Sequence, residues 1–70
     1  MMDIKDAMLA IYRLNEVANC LCDLIAHPDR ADPADIAIVT GAVRAGIHTM
    51  RRDNFRPAAA AMQRIRKQNY

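Results

Sequence analysis

Apolar residues recur through the first third of the chain at helical spacing. Ile4, Ala7, Met8, Ile11, Leu14, Val17, Ala18, Leu21, Cys22, Leu24 and Ile25 fall on one side when successive residues turn by about 100°. Their arc is about 200° wide, against the roughly 100° stripe that covers a single neighbour. The pattern therefore predicts a helix over residues 3–26 with two neighbours to pack against. Asp3 is placed to cap it, Asp6 follows in the first turn, and Pro28 disfavours helical geometry at His27.

After a turn over 27–31, Asp32, Pro33 and Asp35 mark a strong helix start: an acidic cap, proline at the first helical position, and an acid three residues after the cap. Ile36, Val39, Val43, Ile47 and Met50 then recur at spacings of three and four, which predicts one helix over 33–54. A smaller stripe, Ile38, Ala42, Ala45 and Thr49, runs beside it, and with Gly46 offers a side of little bulk that another helix can approach. Pro57 ends or kinks that helix, and a third, short one is predicted over 57–69, with Ala58, Ala61, Met62 and Ile65 on its apolar face. The fold class is all-α, a single domain over 1–70: a hairpin of two long helices and a short C-terminal helix. Ile11, Leu14, Ala18, Leu21 and Ile25 should be central to the packing, with Ile36, Val39, Val43, Ile47 and Met50 opposite.

Composition changes this picture in one respect. The chain has 70 residues and 53% hydrophobic content, but thirteen residues are alanine and only 4% are aromatic. A core of that kind is small for a monomer, so association is expected: a homodimer that buries the excess apolar surface of the first helix and forms a helical bundle.

Charge is divided along the sequence. Residues 1–39 sum to −4 and residues 40–70 to +6, with Asp53 the one acid of the second part. The basic part can neutralise the acidic one or face an acidic partner. Arg51, Arg52, Phe55, Arg56, Arg64, Arg66, Lys67 and Tyr70 are the candidate contact residues, because arginine and aromatic side chains most often carry interface energy.

Catalytic chemistry finds little support. There is no serine, the histidines are His27 and His48 alone, and no glycine-rich phosphate loop is present. Cys20 and Cys22 stand about 200° apart on a helix, too far round to share a metal or a disulfide. Cys22 falls in the apolar arc and is expected to be buried, while Cys20, beside Glu16, Asp23 and His27, is expected on a solvated face. Neither a metal nor another cofactor is expected. Asp3 and Asp6 interrupt any secretory signal, and the longest uncharged stretch, over 36–43, is too short for a membrane span, so a cytoplasmic setting without membrane contact is expected.

A second reading comes from the segment over 33–52. Ile36 followed by Ala37, then Gly41, Ile47 and Met50, resembles the spacing of a DNA-binding helix-turn-helix, which implies a turn at Gly41 and places Arg44, His48, Arg51 and Arg52 where bases and phosphates can be reached. An unbroken helix instead uses Val39 and Val43 in its core stripe. The same basic end, in a dimeric helical bundle, also suits RNA phosphates. The leading expectation is a small non-enzymatic protein that regulates or inhibits a partner protein, of the kind carried by phages and other mobile elements; a nucleic-acid-binding regulator is the alternative.

Overall fold

The computed structural model describes residues 3–68, which form three helices: α1 (Ile4–Ala26), α2 (Pro33–Ala45) and α3 (Arg52–Gln68). The chain is all-α. α1 begins where the sequence places it, because the Asp3 carboxylate accepts the Asp6 N–H at 2.9 Å and satisfies one of the donors a helix start leaves open. At its other end the His27 N–H still reaches the Asp23 carbonyl before Pro28 turns the chain away. α2 starts on the Asp32 carboxylate, which accepts the Ala34 N–H at 2.9 Å, with Pro33 as first residue and Asp35 in the first turn.

The second helix is shorter than its periodicity suggests. It stops at Ala45 rather than near Asn54, because Gly46 takes up a left-handed conformation (φ 90°, ψ 65°) and its N–H closes on the Val43 carbonyl. This is the glycine stop signal of helix C-termini. A single 3-10 turn (Ile47–Thr49) follows, and Met50 continues in extended backbone. The third helix is correspondingly longer than the predicted 57–69. It begins at Arg52 and passes through Pro57; the end that sequence assigns to Asn69 lies outside the described residues. Pro57 is tolerated because the helical bond it forgoes would have gone to the Asp53 carbonyl, in the exposed first turn where water can replace it.

Two glycines thus have opposite roles. Gly46→Ala forces a side chain into left-handed backbone and places Cβ 3.4 Å from the Thr49 Oγ1, so it should cost about 1–2 kcal/mol. Gly41 lies inside α2 with nothing within 4 Å of an added Cβ, and Gly41→Ala should stabilise by about 0.5–1 kcal/mol. Urea midpoints of the two variants, moving in opposite directions, check both.

α3 closes the molecule, packing on α2 and α1, while the 3-10 turn packs on α1. The core lies where they meet: Val17 and Cys20 from α1, Val39 and Ala42 from α2, Ile47 from the turn, and Ala58, Ala61, Met62 and Ile65 from α3. The small Ala58 and Ala61 let the α3 backbone come close, and Met62 and Ile65 fill the remaining space. Ile36 and Met50 pack against this core together with Leu24, Ala31 and Phe55. Of the residues expected to be central, Val39 and Ile47 are buried. Ile11, Leu14, Ala18, Leu21 and Ile25, and Val43 of α2, lie outside the core of the single chain and are exposed. α1 turns a different face inward, Ala10, Arg13, Val17 and Cys20 with the half-buried Leu24, about 100° round from the centre of its main aliphatic stripe.

Candidate functional surface

The candidate contact residues separate into three groups. Arg51, Arg52 and Arg56, at the junction between the 3-10 turn and α3, are exposed and enter no ion pair among the described residues. Arg44, in the last turn of α2, and His48, in the 3-10 turn, are exposed on the same stretch of chain. Lys67 is exposed as well, but it lies fifteen residues after Arg52, about 22 Å along α3.

A second group makes contacts within the chain, with Arg64 still half-exposed. Both Nε and Nη2 of Arg64 approach Oδ1 of Asp35, at 3.0 and 2.9 Å, and Asp35 is buried. Its hydrogen bond to Asp35 raises the Arg64 guanidinium pKa still further above the ordinary arginine value. Arg66 lies 3.3 Å from Glu16 Oε2 and 3.9 Å from Asp23 Oδ2. These contacts tie the C-terminal half of α3 to α2 and to α1, so Arg64 and Arg66 neutralise acids of the first half of the chain. Phe55 is also turned inward, half-buried beneath the Arg13 guanidinium, whose carbon stands 4.3 Å from the ring centroid. Tyr70 lies outside the described residues.

Arg13 is the residue that sequence patterning misses. It is buried at the junction of α1, the 3-10 turn and α3, and its Nη1 donates to the carbonyls of Ile47 and Met50. Those carbonyls sit where the chain reverses from α2 to α3; the Ile47 carbonyl also accepts the Met50 N–H inside the turn, so the cation is a second donor there and supplies a donor to the Met50 carbonyl. Its Nε is buried without a partner. An open cavity of ≈ 320 Å³ adjoins it, lined by Asp6, Leu9, Arg13, His48, Thr49 and Met50. The signal available in the sequence is the spacing of Ala10, Arg13, Val17, Cys20 and Leu24 at alternating steps of three and four, a second helical face that includes one charge.

The cysteines are exchanged relative to expectation: Cys20 is wholly buried and Cys22 is exposed. Burial pushes the Cys20 thiol above its ordinary pKa, Asp23 and Glu16 push the same way, and Arg66 opposes them. Among the described residues no three of histidine, cysteine, aspartate and glutamate are grouped to hold a metal ion. The helix-turn-helix spacing does not form its turn either. α2 passes through Gly41 without interruption and the reversal comes at Gly46.

Fold and surface together define a three-helix all-α module whose exposed positive charge is concentrated at the α2–α3 reversal. No helix of the described residues is long and apolar enough to cross a membrane. Compared with known proteins, the chain matches no family model, no curated protein and no solved structure.

Proposed function

We propose that this chain is a non-enzymatic binding protein that acts as a homodimer and regulates a partner protein by covering an acidic patch on it. The observation that supports this reading is the division among its arginines. Arg64 and Arg66 are paired with acids of α2 and α1, whereas Arg51, Arg52 and Arg56, joined by Arg44 and His48, stand exposed and, among the described residues, unpaired on one stretch of chain whose one acid is Asp53, with Asp6 of α1 lining the cavity beside His48. Exposed charge of one sign steers association and selects partners of opposite sign. Phe55 is excluded from this surface by its stacking on Arg13, so the contact is electrostatic rather than aromatic.

Arg51→Glu/Arg52→Glu reverses the charge at the centre of the surface without touching the core. Affinity capture with the wild-type chain and with this variant should give a protein retained by the first and lost by the second, with equal helicity by circular dichroism. Mixed duplex DNA and structured RNA, titrated at about 50 and 200 mM salt, provide the opposing outcome. Tight binding that weakens steeply with salt would transfer the surface to phosphate recognition and overturn the protein-partner reading.

A further inference from the structure

The largest unexplained feature of the molecule is on α1. Ile4, Ala7, Ile11, Leu14, Ala18, Leu21 and Ile25 follow one another at alternating steps of three and four, the spacing of a helix–helix seam. The core of the single chain uses none of the seven. Ile4, Met8, Ile11, Leu14, Leu21 and Ile25 are between 49 and 81% exposed. On the seam's Val17 and Leu24 flank it opens into a mostly apolar groove of ≈ 270 Å³ between α1 and α2, walled by Leu21, Leu24, Ile36 and Val43 with Thr40 and Arg44 of α2.

We propose that this seam is covered by α1 of a second copy of the chain, packed antiparallel so that Ile11 meets Leu21 of the other copy, Leu14 meets Ala18, and Ala7 meets Ile25. The proposal rests on the homodimer reading above and specifies its face and orientation.

Three observations select this occupant. The first is area. At roughly 150 Å² for a fully exposed large side chain, the low end of the range for bulky hydrophobics, the six exposed residues offer about 600 Å² of mostly apolar surface on each protomer. A stable interface buries about 800 Å² per partner, so these six residues supply about three quarters of it, and the exposed Val43 adds to that.

The second is charge. Identical copies bring identical residues together, so any charge on the seam would be repeated across the axis. The seam carries none, and its flanks are Met8, Asn15 and Cys22 on one side and Ala10, Val17 and Leu24 on the other. Self-association therefore meets no like-charge contact along residues 7–25 of α1, and Arg44 of α2 is the charge that lines the adjoining groove; the uncharged seam itself offers a charged partner nothing to pair with.

The third is the distribution of side-chain size, which fixes the orientation. In a parallel pair Ala7 would face Ala7 and Ala18 would face Ala18, leaving two layers underfilled. In the antiparallel register each alanine faces a large residue, Ile25 or Leu14, and the Ile11–Leu21 layers complete an evenly filled seam. Opposed helix dipoles also favour this direction. The twofold axis then passes between Leu14 and Ala18, and the two α1–α2 grooves lie on the same side of the α1 pair, facing one another across the axis.

Light scattering at micromolar concentration and disulfide trapping test the proposal together. Ile11→Cys and Leu21→Cys are each made in a Cys22→Ser background, with Cys20 left in the core. In the antiparallel register positions 11 and 11 of the two copies are about 15 Å apart along the helix, so neither variant alone should cross-link, whereas an equimolar mixture on mild oxidation should give a covalent dimer. A wild-type chain of monomer mass overturns the homodimer reading itself. A wild-type dimer whose variants cross-link separately overturns the orientation, and a dimer that traps in no combination overturns the face.

Discussion

Arg13→Ala should be among the most damaging single changes in this chain, lowering the unfolding free energy by about 3 kcal/mol. The guanidinium donates to two carbonyls at the α2–α3 reversal and stacks on Phe55, and its stem fills space between α1 and the 3-10 turn. Hydrogen bonds from a charged donor are worth about 1.5–3 kcal/mol and a desolvated cation–π contact up to about 2 kcal/mol, and removal also opens a cavity. Against these stands the cost of burying a cation that enters no ion pair among the described residues, which is why the net value is set below their sum. A domain of this length has a total stability of about 3.5–10 kcal/mol, so the loss is a large share. Arg13→Met should fall between wild type and alanine, because it refills the volume but removes the donor to the Met50 carbonyl and leaves the Ile47 carbonyl with the Met50 N–H alone. Urea unfolding of the three proteins at one fixed concentration measures the series, and an unchanged midpoint for Arg13→Ala would show that the reversal is held without its cation.

Ile65→Ala should cost about 2–5 kcal/mol and Ile65→Val about 0.5–1.5 kcal/mol. Ile65 is fully enclosed on the inner face of α3, among core residues that come from all three helices. Its neighbours on α3 are already small or fully packed, so the structure has little with which to fill the space left by a truncated side chain. The same urea experiment gives the loss. A fall of less than 1 kcal/mol for the alanine variant would mean that α3 can shift to close the gap, and would remove Ile65 from the centre of the core.

What could be read from the sequence was local. The starts of α1 and α2 were legible because a carboxylate and the N–H it accepts lie within three residues of one another, at Asp3 and Asp6 and at Asp32 and Ala34. The end of α2 was not. Val39, Val43, Ile47 and Met50 keep helical spacing straight across Gly46, and periodicity carries no mark of one residue turning left-handed. Pro57 misled in the opposite sense, since its effect depends on how near a helix start it falls and the start at Arg52 had no cap to announce it. The inward face of α1 was hidden for a longer-range reason. Its apolar arc is wide enough to serve two neighbours, and the choice between its faces is made by α3, whose Ala58, Ala61, Met62 and Ile65 pack beside Cys20 and Val17.

The basic surface shows the same division. Its residue types were evident, but the loss of Arg64 to Asp35, 29 positions away, and of Arg66 to Glu16, 50 positions away, depends on tertiary packing. So does the inward turn of Phe55 onto Arg13, a pair that no short-range pattern connects.

The position of α3 has a consequence for how the molecule opens. It contributes Ala58, Ala61, Met62 and Ile65 to the centre of the core, and its arginines bridge to both other helices. A helix placed this way cannot swing aside as a lid or exchange by partial melting, because removing it dismantles the only core the described residues share. Opening of α3 and loss of the whole fold are therefore one cooperative event. Any surface that α3 presents is offered in a single fixed shape, and a partner has to match that shape rather than induce it.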